Sequence, residues 1–144
     1  MVLAAQASFQ EPLPGPGKPE IVKEALAAYK MADNKKYKWG GHDTDGFDCS
    51  GFVIYTLKQA YPGAGWTFVT AGQIFADRRF EEVTTPQPGD LICFKHGPKV
   101  SHDHIGIVLD SMNWIGSQSS TGVEKVLLKD GYWSRKPHFF LRLK

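Results

Sequence analysis

The chain has 144 residues, of which 42% are hydrophobic and 22% charged, a composition typical of one globular domain. Its formal net charge is only +2, so we do not expect the strongly basic face of a nucleic-acid-binding protein. Its apolar runs fall far short of the roughly 20 residues that a membrane-spanning helix needs, so we expect no membrane insertion. Two cysteines, Cys49 and Cys93, leave either one structural disulfide or two free thiols.

An irregular N-terminal arm is predicted to precede a single domain. Residues 11–19 (EPLPGPGKP) are rich in proline and glycine, which disfavour regular structure. We therefore divide the chain into a Pro/Gly-rich arm over residues 1–19 and one domain over residues 20–144. The first ten residues lack the basic segment of a secretory signal, so we expect no export by a standard signal peptide.

Apolar residues at helical spacing dominate the first half of the chain. They predict an amphipathic helix over Glu20–Met31, a second helix over Cys49–Tyr61 and a short helix over Thr70–Arg79. Asp48 is a suitable N-cap for the second helix, because its carboxylate can accept hydrogen bonds from the free N–H groups of the first turn. The glycines and aspartates of Tyr37–Phe47 predict a loop.

The second half changes to short β-type runs, several of them separated by glycine, aspartate, asparagine or serine. The predicted strands are Leu91–Phe94, Ile105–Leu109, Asn113–Ser117, Val123–Leu128 and Phe139–Leu143. Helices followed by strands predict an α+β fold in which the helices pack on an antiparallel sheet.

One cysteine has the local features of a nucleophile. In the segment DCSGF, residues 48–52, Cys49 begins a helix directly after its capping residue. The positive end of the helix dipole favours the thiolate, which is the reactive form. The structural alternative is a buried, unreactive cysteine.

A thiol nucleophile needs a base, and His104 is the best-placed candidate. It begins the β-type run HIGIVL, where its side chain can face a cleft while the isoleucines pack elsewhere. His102 is a competitor two residues upstream. These two histidines, with Asp103 or Cys93, are also conceivable metal ligands, but the fuller ligand set typical of zinc is missing.

Four ordered motifs carry a resemblance to a known family. Tyr37–Gly41 (YKWGG), Gly46–Phe52 (GFDCSGF), Gln87–Leu91 (QPGDL) and His104–Val108 (HIGIV) resemble the motifs of the NlpC-type cell-wall peptidases. These are compact papain-like cysteine hydrolases, with N-terminal helices packed on a central antiparallel sheet. The resemblance runs from about residue 37 to residue 126.

The resemblance implies roles for individual residues, without a metal or cofactor. Cys49 matches the nucleophile and His104 the general base. Tyr37 matches a tyrosine whose hydroxyl would lie near the developing oxyanion, with a packing aromatic as the alternative. The residues that flank these positions are candidates for substrate binding: Asp48, Ser50, Trp39 and Ser117.

The third catalytic position is where the sequence departs from the family pattern. The family usually has His, Asn or Gln on the next strand, where an ungapped match places Gly116, which has no side chain to offer. Gln118 lies two residues further on the same strand face and is the favoured substitute. Asn113, Ser117 and a main-chain carbonyl are alternatives, as is a Cys–His dyad without a third member.

The function implied by the resemblance is hydrolysis of an amide bond in peptidoglycan stem peptides, most often between D-glutamate and the diamino acid. N-acetylmuramoyl-L-alanine amidase activity is an alternative, and the missing side chain at Gly116 suggests another, a catalytically inactive wall-binding module. We expect synthesis in a bacterial cytoplasm and action in the periplasm or cell wall. Delivery is expected through a secretion system or a phage, with an immunity protein as a possible inhibitor in the first case.

Overall fold

The structure is a computed structural model that describes residues 17–32, 36–43, 45–95 and 103–144. In these residues, helices pack on one face of an antiparallel β-sheet, so the α+β prediction is confirmed. Within the same ranges, no helix is long and apolar enough to cross a membrane. The greater part of the predicted N-terminal arm lies outside the described residues.

The first two helices lie close to their predicted positions. Helix α1 spans Pro19–Met31 and buries Ile21, Ala25 and Ala28, which share one face. Helix α2 spans Cys49–Ala60 and is buried along most of its length. Most of the apolar positions that predicted α1 and α2 therefore lie in or against the core, whereas Leu26 of α1 is exposed.

The third helix is shorter than predicted. Helix α3 spans only Ala71–Phe75 and begins with a capping box between Thr70 and Gln73. The carboxylate of Asp77 accepts a hydrogen bond from the Arg79 N–H at 2.8 Å, and this local turn competes with further helical bonds. The predicted extension to residue 79 was therefore wrong.

The strands of the described residues form one large sheet and one small hairpin. They are β1 (His42–Asp43), β2 (Gly46–Phe47), β3 (Phe80–Val83), β4 (Leu91–Phe94), β5 (His104–Val108), β6 (Asn113–Gln118), β7 (Gly122–Leu127) and β8 (Phe139–Leu143). Six of them pair antiparallel in the order β3-β8-β4-β5-β6-β7, and β1 pairs with β2 within the segment predicted as a loop. Sequence reasoning missed β3 because two glutamates occupy its centre. These residues are exposed, as an edge strand allows.

The central strands β5 and β6 are buried on both faces, and the two faces have different roles. Ile105 and Ile107 pack in the core beneath the helices. Val108 and Trp114 pack on the opposite face in a second cluster with Phe94. A shift of one residue along these strands therefore moves a side chain from one core to the other.

The QPGD motif has a structural role at the turn before β4. Asp90 is 3% exposed and accepts hydrogen bonds from the guanidinium of Arg142 on β8 at 2.9 and 3.0 Å. It also accepts one from the Gln87 N–H at 2.6 Å. Gly89 has φ +92°, which favours glycine, and a Cβ there would approach the Lys18 carbonyl to 2.9 Å.

Cys93 lies at the centre of the sheet. It is fully buried and free, which is typical of a cysteine that fills the core. Burial raises its pKa well above the ordinary value, with the charge of Glu82 as a smaller cause. Cys49 is also free, so the two cysteines do not form the disulfide left open by the sequence.

Candidate active site

A cleft of about 580 Å³ lies over the start of α2. The residues that line it are Tyr37, Trp39, Asp48, Cys49, Ser50, Thr70, Ala71, Asp103, His104, Ser119 and Trp133. The structure therefore brings together six of the eight site residues predicted from the sequence. The other two, Ser117 and Gln118, lie behind the cleft on β6.

Asp48 fixes the start of α2 and the loop that precedes it. One carboxylate oxygen accepts a hydrogen bond from the Gly51 N–H at 2.6 Å, and the other accepts one from the Gly40 N–H at 3.1 Å. Its own N–H donates to the Gly41 carbonyl at 2.9 Å. A Cβ at Gly51 would lie 2.0 Å from that same carbonyl, so only glycine allows this contact. Asp48 is thus a positioning residue as well as part of the cleft.

Cys49 is the first residue of α2, and its thiol is in a mostly buried environment. The pKa of the thiol is raised to about 11, first by burial and then by the negative charge of Asp48. The N–H groups of Cys49 and Ser50 at the helix start, and that of Ile105 on β5, lower the pKa, but by less. The helix start therefore favours the thiolate, as expected, but desolvation and the charge of Asp48 outweigh this effect and leave the pKa above its ordinary value. At neutral pH the sulfur carries its proton.

Tyr37 lies beside Cys49, where the family resemblance places it. Its pKa is raised to about 12, first by burial and then by the negative charges of Cys49 and Asp48. The backbone N–H of Cys49 lies near enough to the hydroxyl to lower its pKa in part. The phenol is therefore protonated at neutral pH and lies next to a second donor. Both groups can donate a hydrogen bond to an oxyanion that forms beside Cys49.

His104 and Gln118 contact each other behind the cleft. The Nε2 atom of His104 lies 3.2 Å from the Oε1 atom of Gln118, and both side chains are buried. If Nε2 donates to the amide oxygen, the other ring nitrogen, Nδ1, is left without a proton and can act as a base. This arrangement matches the role that the resemblance assigns to the third catalytic position.

Gly116 explains how Gln118 reaches the histidine. A Cβ at Gly116 would lie 2.8 Å from Gln118 Oε1 and 2.9 Å from the Trp114 ring. The amide of Gln118 therefore lies over the main chain at Gly116. The space that a side chain at Gly116 would fill is thus occupied by the side chain of Gln118, which lies on the same face of β6.

Aromatic rings surround the imidazole of His104. The Trp133 ring stacks on it at 4.6 Å between centroids and 22° between planes. Trp114 and Phe94 approach at 5.9 and 6.0 Å. Trp133 belongs to a 3₁₀ turn, Trp133–Arg135, which sequence reasoning missed because no local signal connects it with a histidine on β5.

The remaining predicted site residues differ in exposure. Trp39 is 77% exposed at the rim of the cleft, where it can contact a substrate. The Ser50 hydroxyl lies in the lining and donates to Asp48 at 3.3 Å. Ser117 is fully buried and donates to the Phe47 carbonyl at 2.7 Å. It faces the helices, so the predicted substrate contact at Ser117 does not hold in this structure.

The alternative metal site gains no support from the geometry. Among the described residues, no three His, Cys, Asp or Glu side chains gather as they do around a metal ion. His102, the predicted competitor of His104, lies outside the described residues.

Comparisons with known proteins agree with this geometry. The model of the NlpC/P60 family matches residues 34–142. The "Probable peptidoglycan endopeptidase LytE" of Bacillus subtilis is 37% identical over 121 residues, which cover 82% of this chain and 33% of that protein. The "Probable endopeptidase NlpC" of Escherichia coli is 32% identical over 104 residues, which cover 69% of this chain and 63% of that protein.

A solved structure supports the same conclusion. The NlpC/p60 domain of the peptidoglycan hydrolase SagA superposes with a TM-score of 0.60 at 28% identity, over 88% of this chain and 97% of that one. The described chain thus corresponds to nearly all of that domain. It spans only about a third of the Bacillus relative.

With Cys49 and His104 lining one cleft at the start of α2, the fold defines a papain-like cysteine hydrolase domain. The family match over residues 34–142 specifies the class further: the chain belongs to the NlpC/P60 family. The resemblance recognised from four short motifs is therefore confirmed, and it extends beyond residue 126.

Proposed function

We propose that the chain hydrolyses an amide bond in the stem peptide of peptidoglycan, with Cys49 as nucleophile and His104 as general base. The observation that carries the proposal is the common cleft of these two side chains in a domain of the NlpC/P60 family. The Bacillus relative is named a probable peptidoglycan endopeptidase, which supports the same substrate, and the Escherichia relative is named a probable endopeptidase.

The first half of the reaction begins from the neutral thiol. His104 accepts the proton of Cys49 as the sulfur attacks the amide carbonyl, and the oxyanion accepts hydrogen bonds from the Cys49 N–H and the Tyr37 hydroxyl. His104 then donates its proton to the departing amine as the C–N bond breaks. A thioester on Cys49 is left.

The second half returns the enzyme to its starting state. His104 takes a proton from water, and the resulting hydroxide equivalent attacks the thioester. The C–S bond breaks, the thiolate regains its proton from His104, and the acyl part leaves as a carboxylic acid. Throughout both halves, Gln118 holds the ring by its contact with Nε2.

The bond we favour joins D-glutamate to the diamino acid. Two acidic residues, Asp48 and Asp103, lie in the described lining of the cleft together with His104. The same described lining contains no lysine or arginine. Such a lining favours a substrate that carries an ammonium group, as a diamino acid does. N-acetylmuramoyl-L-alanine amidase activity would use the same reaction on a different bond.

Digestion of purified sacculi followed by mass spectrometry of the muropeptides tests the proposal. Cleavage after D-glutamate leaves a dipeptide on muramic acid, whereas amidase activity leaves muramic acid without a peptide. Cys49→Ala should abolish product release, and Cys93→Ala should retain it because Cys93 lies in the sheet away from the cleft. Equal activity of Cys49→Ala and the unaltered chain would contradict the mechanism.

A catalytically inactive wall-binding module loses its main argument. That alternative depended on the missing side chain at Gly116, and Gln118 supplies a polar partner to His104 from the neighbouring position. Binding to sacculi without release of new amines would restore it.

We propose action in the periplasm or cell wall, because that is where peptidoglycan lies. Delivery through a secretion system or a phage, and inhibition by an immunity protein, stay predictions from the sequence. Expression directed to the periplasm should lyse a bacterial host, while expression of the same chain in the cytoplasm should not. Lysis from both compartments would contradict a wall substrate.

A further inference from the structure

Among the described residues, Trp133 has the shortest ring distance to His104, the proposed general base, and nothing in the family resemblance gave it a role. Its ring stacks on His104 at 4.6 Å and 22°, which is close to parallel. The same side chain lines the cleft beside Cys49. Trp133 therefore contacts both the imidazole and the space in which the substrate would lie.

The Trp133 ring is itself held by neighbours. Phe94 lies 4.9 Å from it, and Trp114 and Tyr132 meet it edge-on at 5.9 and 5.3 Å. A ring fixed on three sides can fix the plane of a fourth ring stacked on it. The contact between His104 and Gln118 restrains one ring atom, and the stack with Trp133 restrains the ring plane.

The face of an indole also carries negative charge density. A cation stacked on such a face is stabilised, and the effect grows when water is excluded. His104 is only 8% exposed and becomes a cation as soon as it accepts the thiol proton. The stacked geometry therefore favours the charged form of the base that the reaction requires.

We propose that Trp133 is a positioning residue that orients the His104 ring and stabilises its imidazolium form during proton transfer from Cys49. This inference rests on the proposed Cys–His mechanism and adds a residue to it. It assigns the 3₁₀ turn after β7 a part in the reaction, although this turn contains none of the family motifs.

Alkylation of Cys49 by iodoacetamide at pH 7 tests the inference without peptidoglycan. An isolated thiol with a pKa of about 11 is almost wholly protonated at pH 7, so its alkylation depends on proton transfer to His104. Peptide mapping by mass spectrometry follows Cys49 separately from Cys93. Trp133→Leu keeps an apolar side chain but removes the aromatic face, and Trp133→Phe keeps a face.

Trp133→Leu is expected to slow alkylation by about 2- to 30-fold, and Trp133→Phe is expected to restore most of the rate. Phe68→Leu is a matched control, since that exposed ring lies tilted against His42 at 4.4 Å between centroids and is not among the rings around His104. On sacculi, Trp133→Leu should lower kcat more than it raises KM. Backbone NMR spectra establish that each variant is folded.

Two outcomes would overturn the inference. One is an unchanged alkylation rate in Trp133→Leu. The other is an equal loss of rate in the Leu and Phe variants, which would mean that the shape of the indole matters and its aromatic face does not. Alkylation as expected in a chain that releases nothing from sacculi would contradict the proposed substrate and leave the role of Trp133 supported.

Discussion

The amide oxygen of Gln118 on β6 lies 3.2 Å from Nε2 of His104 on the neighbouring strand β5. The family pattern places the partner of this histidine two residues earlier, at the position of Gly116. The side chain spans that distance because Gly116 leaves room above the strand. The small residue and the displaced amide thus form one arrangement. We interpret it as the third member of the catalytic group, moved along β6.

Replacement of Gln118 by leucine should lower kcat/KM by about 10- to 100-fold. The change removes the amide oxygen that contacts the buried imidazole at Nε2. Gln118→Glu retains an acceptor oxygen and should restore much of the activity. The measurement is the rate of muropeptide release from sacculi at equal amounts of folded protein. Full activity of the leucine variant would mean that Cys49 and His104 act as a dyad.

Gly116→Ala should impair the same contact from the other side. The added Cβ would lie 2.8 Å from Gln118 Oε1, so the amide has to move away from His104. We expect a loss of rate similar to that of Gln118→Leu, and little further loss when both changes are combined. Gly63→Ala is the matched control, because nothing lies within 4 Å of a Cβ at that position. Additive losses in the double variant would show that Gly116 acts independently of Gln118.

Much of the fold could be predicted from the sequence because local patterns specify it. The spacing of apolar residues located α1, α2 and the strands β4 to β8, and residues 48–52 located the nucleophile. Strand β3 was not predicted, because its two adjacent central glutamates interrupt the alternation of apolar and polar residues that marks a strand. The partner of His104 was suggested by the family match at Gly116 together with strand parity, since Gly116 and Gln118 face the same side.

Other features depend on the folded arrangement and have no local signal. Trp133 lies 29 positions after His104 in the chain, and only the return of the chain after β7 stacks one ring on the other. The raised pKa of Cys49 reflects burial, whereas its sequence context indicates only the helix dipole. Ser117 and Gln118 are adjacent in sequence, yet one faces the helices and the other faces the histidine.

Tyr37→Phe tests the oxyanion donor. Loss of one such donor typically costs about 10²- to 10³-fold in kcat, because the hydrogen bond strengthens as negative charge develops. The phenylalanine ring preserves packing beside the cleft, so the variant should fold and bind sacculi. Tyr132→Phe removes a hydroxyl from an exposed tyrosine and serves as the control. A loss confined to KM would assign Tyr37 to substrate binding instead.

The pH dependence of Cys49 alkylation should reveal its raised pKa once the base is removed. In His104→Ala, the alkylation rate should rise with pH above 9 and reach half its maximum near pH 11. The folded state holds the thiol proton more tightly than the unfolded state does. The contribution of this proton to the free energy of unfolding is therefore present below pH 9 and is lost as the pH rises through 11. A midpoint near 9 would mean that water reaches the sulfur freely.

Asp90→Ala should destabilise the fold without a direct effect on the cleft. Asp90 is almost fully buried and holds both Arg142 and the turn before β4, so its loss should lower the free energy of unfolding by about 2–4 kcal/mol. Asp77→Ala breaks a shorter ion pair, at 2.7 Å from Arg79, but at an exposed site where about 0–1 kcal/mol is expected. Urea denaturation of both variants measures the difference. The charges of the Asp77–Arg79 pair are exposed to water, whereas Asp90 is buried. Equal losses of stability in the two variants would therefore contradict the role of burial at the QPGD turn.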